Sequence, residues 1–88
     1  MSLLDKVRKE LRITHKELDD ELQDLINAGF MDLKIAGVNK ASEDDPLIIR
    51  AIKVYCKANF GLNNEEADRY RDSYNMLKMH LSLAGDYR

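Results

Sequence analysis

The amino-acid sequence predicts an all-α protein: a compact bundle of four helices over approximately residues 3–11, 14–36, 46–60 and 64–83, the third most buried. Three observations predict it. Four glycines and one proline in 88 residues are too few for a turn-rich β domain of this length. Apolar residues recur at three- and four-residue steps through four separate segments. Helix start and stop residues stand at the ends of those segments. Residues 1–88 are expected to form one domain, because a chain this short has no room for two cores.

The first helix rests on Leu3, Leu4, Val7 and Leu11, with Ser2 as cap and Asp5 as its reciprocal partner. The second is expected to open at Thr14, where Glu17 completes a Thr-x-x-Glu capping box and Ile13 staples against Leu18. Its apolar stripe runs Leu18, Leu22, Leu25, Ile26, Leu33 and Ala36, widened by Phe30 and Met31. Gly29 falls on that stripe, where a missing side chain lets another helix come close. Gly37 is the expected stop. Residues 38–45 are a polar linker.

Asp45-Pro46 is a strong start for the third helix, a capping carboxylate followed by a residue whose absent N–H costs nothing there. Leu47, Ile48, Ala51, Ile52, Tyr55, Cys56 and Phe60 cover a wide apolar arc, so this helix is expected at the centre. Arg50, Lys53 and Lys57 leave it one narrow basic edge. Gly61 is its expected end. Asn63 and Glu66 form a capping-box pair for the fourth helix, whose inner face is Ala67, Tyr70, Tyr74, Leu77 and Leu81. The residues 85–88 read as a frayed tail. The core is therefore expected to include Leu22, Leu25, Ile26, Ile48, Ala51, Ile52, Tyr55, Tyr74 and Leu77.

Composition narrows the chemistry. A formal net charge of -2 gives no overall cationic pull on nucleic acid or an anionic membrane. One cysteine excludes an internal disulfide and a Cys-x-x-Cys site. No apolar run approaches a membrane span, and no signal-peptide apolar core opens the chain, so it is expected to be kept in a cytoplasm. No glycine-rich phosphate loop occurs, and the acids at 43–45 lack EF-hand spacing. His15 and His80 stand apart from any metal-binding cluster and read as surface or capping residues. Cys56 reads as a small buried hydrophobe. No cofactor, metal or catalytic residue is assigned.

Charge is unevenly placed. Glu17, Asp19, Asp20, Glu21 and Asp24 put five acids within eight residues. Lys6, Arg8, Lys9 and Arg12 form a basic stretch in the first helix, and Arg50, Lys53 and Lys57 a second in the third. Opposite patches on different faces permit head-to-tail association of copies. Glu17, Asp20, Glu21, Asp24, the two basic sets and Tyr87 in the tail are the candidate contacts between copies or with a larger assembly. A helix-turn-helix reading fails on the residues. The third helix opens too apolar, the second is acidic, and Arg69 and Arg71 sit among Glu65, Glu66, Asp68 and Asp72. A small DNA-binding or regulatory module stands as the alternative function.

Five stretches then carry a resemblance: Leu3-Leu-Asp-Lys-Val-Arg-Lys-Glu-Leu-Arg-Ile13, Asp19-Asp-Glu-Leu-Gln-Asp-Leu-Ile26, Asp44-Asp-Pro-Leu-Ile-Ile-Arg-Ala-Ile52, Tyr55-Cys-Lys-Ala-Asn-Phe-Gly61 and Tyr74-Asn-Met-Leu-Lys78. In this order and spacing, over roughly residues 3–83, the chain resembles the small head–tail connector proteins of tailed bacteriophages, also called DNA-packaging proteins. The resemblance implies a structural adaptor rather than an enzyme. It implies a homo-oligomeric ring, twelve-fold when assembled, beneath the portal protein. Such a ring extends the DNA channel and receives a downstream head-completion or tail protein, with no sequence-specific DNA contact and no membrane. The implied locations are the bacterial host cytoplasm during assembly and the virion head–tail junction.

Overall fold

The structure, a computed structural model, describes residues 2–60 and 66–88. Among them are four α-helices, α1 (Leu3–Glu10), α2 (Asp19–Ile35), α3 (Pro46–Asn59) and α4 (Ala67–Leu83), closed by a 3₁₀ turn at Gly85–Tyr87. No strand occurs among the described residues. The architecture is the all-α four-helix bundle that the apolar periodicity predicts. Gly61 and Asn63, the expected stop and cap between α3 and α4, lie outside the described residues.

The centre is α3. It packs against α1, α2 and α4, and α1 closes the bundle by also touching α2. Ile48, Ala51, Ile52, Val54, Cys56 and Ala58 are all buried on it. Leu22, Ile26 and Leu33 from α2, Val7 from α1 and Tyr74 and Leu81 from α4 meet them. Leu25, Tyr55 and Leu77 pack at the edge of this core, and Val38 seals its end beneath the linker. Met31 and Leu47, placed on apolar stripes from spacing alone, are exposed, as are Ile35, Met76, Met79 and Leu83.

Gly29 sets the distance between α2 and α3. A Cβ on it would lie 3.0 Å from Ile52 Cδ1 and 3.2 Å from Tyr55 Cδ2. Tyr55 in turn meets Tyr74 edge-on, with ring centroids 5.0 Å apart. The Tyr74 hydroxyl donates to Asp32 Oδ2 at 2.6 Å, and Lys78 Nζ donates to the same oxygen at 3.1 Å. Partial burial works against ionisation of Asp32, but the hydrogen bonds from Tyr74 and Lys78 outweigh it and hold the carboxyl below its usual range. Tyr74 is shifted the other way. Burial and the neighbouring carboxylate push its phenol well above the ordinary value.

Local chemistry explains where the helices begin and end. The Ser2 hydroxyl accepts the Asp5 amide and opens α1. Asp45 accepts the Leu47 amide at 2.8 Å and starts α3 with Pro46 behind it. Gly37, at φ 100°, ends α2. Its amide reaches the Lys34 carbonyl and the Val38 amide the Leu33 carbonyl, the two bonds of a Schellman motif. The same pair of bonds ends α1 without a glycine: Arg12 N–H to Lys9 O and Ile13 N–H to Arg8 O, with Arg12 at φ 60°.

Two expectations are corrected. Thr14 does not open α2; it lies in irregular chain, residues 15–18 are bends and turns, and the helix begins at Asp19. Ile13 is turned onto the core by the stop at Arg12. The first turn of α2 is held instead by Arg8 of α1, whose guanidinium donates to both carboxylate oxygens of Asp19 at 2.9 and 2.8 Å. Nor is the tail frayed. The Tyr87 carbonyl accepts the amides of Asn39 and Lys40 at 2.8 and 3.1 Å, and its hydroxyl donates to Asp45 Oδ2 at 2.8 Å. The tail therefore pins the 38–45 linker to the start of α3.

Truncating Ile52→Ala empties the middle of the core and costs about 2–5 kcal/mol in a denaturant titration. Gly29→Val forces α2 off α3 and costs about 1–3 kcal/mol. Tyr74→Phe costs about 1 kcal/mol at neutral pH, because one hydrogen bond to a carboxylate is lost. Asp32 has a lowered folded pKa. Its share of that difference is present above about pH 4 and disappears as pH falls through the folded value. Tyr74 has a raised folded pKa, so its share is complete below about pH 10 and is lost as pH rises through the folded value. Thermal melts of both proteins across pH check both limbs. Truncation after Leu83 removes the acceptor for the Asn39 and Lys40 amides. Hydrogen exchange at those two amides then speeds up, while the amides of α3 keep their protection.

Candidate functional site

The fold sorts the charged residues into two faces. Arg50, Lys53 and Lys57 of α3, Arg69 and Tyr70 of α4 and Glu10 of α1 line a concavity of about 310 Å³. Lys6, Lys9 and Arg12 line a second of about 370 Å³, with Glu10 and Lys53 again at its wall. Because Glu10 and Lys53 belong to both, the two run together as one groove across α1, α3 and α4. Among the described residues, seven cations and one carboxylate line it.

Glu10 organises the floor of that groove. Its carboxylate sits 2.9 Å from Lys57 Nζ and 3.6 Å from Lys53 Nζ. The hydrogen bond from Lys57 holds the Glu10 carboxyl below its usual range, against partial burial. Lys57 also lies 5.1 Å above the Tyr70 ring. Lys53 and Lys57 are thus fixed within the chain, and Arg8 is taken up by Asp5 and Asp19. The hydrogen bonds to Asp19 and Asp5 raise the Arg8 pKa further, so it is a permanent bridge between α1 and α2. Lys6, Lys9, Arg12 and Arg50 make no ion pair among the described residues.

The acidic face lies across the molecule. Glu17, Asp20, Glu21 and Asp24 are exposed. Asp20 and Asp24 stand one turn apart, on the side of α2 away from Leu22, Ile26 and Gly29. Gly29 faces Ile52 of α3, and Arg50 and Lys57 lie on the opposite side of α3 from Ile52. Arg50 and Lys57 of the groove therefore point away from Asp20 and Asp24.

Sequence reasoning placed the basic and acidic residues at a surface, and the structure joins the two basic sets into one groove. It separates out Arg8, which works inside the chain, and Tyr87, whose hydroxyl is bound to Asp45. It adds Glu10, Arg69 and Tyr70, which only the packing of α1 and α4 on α3 brings there. No periodicity in the sequence signals that meeting. His15 and His80 are exposed. Cys56 is fully buried, and burial pushes its thiol up to about 12, so it stays protonated and unreactive at neutral pH. No group of three histidine, cysteine, aspartate or glutamate residues able to hold a metal ion occurs among the described residues.

Among the described residues this arrangement offers contact surfaces and no assembled set of reacting groups. A family model described as phage connector protein matches residues 3–88, nearly the whole chain. No curated protein matches the chain. No solved structure matches it. On the match over residues 3–88, the chain belongs to the phage connector protein family and is a structural, non-enzymatic adaptor of the virion.

Proposed function

We propose that this protein completes the head of a tailed phage or prophage by assembling as a ring, twelve-fold in the virion, beneath the portal protein. The ring extends the DNA channel and presents its far side to a downstream head-completion or tail protein. DNA passes through without sequence-specific contact. The chain is made in the bacterial host cytoplasm and ends at the head–tail junction. The observation that carries this reading is the connector-family match over residues 3–88.

The surface supports it. An adaptor ring needs subunits that present different faces to their two neighbours and further surface to the layers above and below. Opposed basic and acidic faces meet the first requirement. Exposed Met31, Ile35, Met79 and Leu83 give α2 and α4 apolar side chains for the second. No helix among the described residues is long and apolar enough to cross a membrane.

Electron microscopy of the full chain mixed with a portal protein of the same phage or prophage tests the reading. The expected result is a ring of added density, twelve-fold, on the tail-proximal face of the portal. A chain that leaves the portal bare at every salt concentration, yet binds short duplex DNA with a steep salt dependence, fits a DNA-binding module and rejects the adaptor.

A further inference from the structure

The geometry points to a single head-to-tail interface between copies: the groove across α1, α3 and α4 receives the acidic first turns of α2, Asp20, Glu21 and Asp24, from a second copy. This names the partner of the groove and rests on the adaptor reading. Three observations carry it.

The first is complementarity within one chain. Among the described residues the groove holds seven cations against one carboxylate, and the exposed Asp20 and Asp24 face away from Arg50 and Lys57 of its α3 wall. A surface that meets its complement on the far side of an identical copy makes a heterologous contact, the kind that closes a ring. The second is the division of labour inside the groove. Glu10 ties down Lys53 and Lys57, which form the floor, while Lys9, Arg12 and Arg50 at the walls are exposed and unpaired among the described residues. Glu10 neutralises part of the charge of Lys53 and Lys57 in the floor. It leaves the walls open to discrete carboxylates spaced one helical turn apart.

The third is Arg12. It holds φ 60° at the stop of α1, a left-handed conformation that glycine adopts freely and that other residues resist. Gly37 does the same work at the end of α2. At Arg12 the chain keeps a strained backbone and places a guanidinium on the groove wall. The strained backbone thus coincides with an unpaired, exposed cation on the groove wall.

The test is association of the full chain, measured by sedimentation velocity at low salt and high protein concentration. Wild type is expected to self-associate, less so as salt is raised. A groove variant, K9E/R12E/R50E, and a helix variant, D20K/E21K/D24K, each lose about tenfold or more in self-association. An equimolar mixture of the two restores it, because each then meets its opposite charge on the other. Circular dichroism confirms that both variants remain helical. Arg12→Gly separates the two roles of that residue: it melts higher than wild type and associates more weakly.

Monomeric wild type at every concentration, variants that associate like wild type, or a mixture no more associated than its parts would overturn the interface. So would saturable binding of short duplex DNA that the groove variant alone loses. Portal mixtures keep this distinct from the adaptor reading. If both charge variants still build the ring on the portal, the adaptor stands and this interface falls. If the charge-swapped mixture behaves as expected while wild type ignores the portal, the interface stands and the adaptor falls.

Discussion

The contact between α2 and α3 at Gly29 governs the rest of the molecule. With no side chain at that point, the two helices close until Ile52 and Tyr55 lie against the α2 backbone. That closeness brings Tyr55 to Tyr74 and lets the Tyr74 hydroxyl reach back to Asp32 on α2. Three helices are thereby tied around one small gap. A larger residue would have to push α2 outward, and the Tyr74–Asp32 bond spans too short a distance to survive such a movement. In a chain of 88 residues the core is too small to absorb a second such defect.

What could be read from the sequence followed how local the governing interaction is. Asp45-Pro46 and Gly37 act through bonds to residues within five positions, and both were legible. The burial of α3 was legible because its apolar arc is wider than one face. Thr14 misled because its capping box is also a local pattern, and a tertiary contact overrides it. Arg8 grips Asp19 across eleven residues, and that grip sets where α2 begins. The stop at Arg12 was hidden because a Schellman motif is recognised by its glycine, and here an arginine takes the left-handed position. The folded-back tail was hidden for a similar reason: Tyr87 reaches Asp45 over 42 residues, which no spacing rule encodes.

The candidate site was legible as composition and not as place. Helical spacing grouped Arg50 with Lys53 and Lys57, and proximity in sequence grouped Lys6, Lys9 and Arg12. Their union into one groove depends on α1 lying along α3, which is a property of packing. The same packing removed Arg8 from the surface set and supplied Glu10 to the floor. Counting charges would have credited the groove with every cation on α1 and α3. The ion pairs divide them into those that hold the bundle together and those that face outward.

That division matters for an assembly protein. Outward charges in water contribute little each, because solvent screens them and long side chains must be ordered to pair. A subunit that relied on them alone would stay dissolved as separate copies at ordinary concentration. Placed on a template that already fixes their spacing, the same weak contacts act together, and each subunit added raises the effective concentration of the next contact. The inward pairs serve the opposite purpose. Arg8 with Asp19 and Glu10 with Lys57 fix the angle between helices, so that the outward charges present one geometry to every neighbour. Stiffness inside and weakness outside are the two properties that let a small subunit wait in solution and still assemble in register.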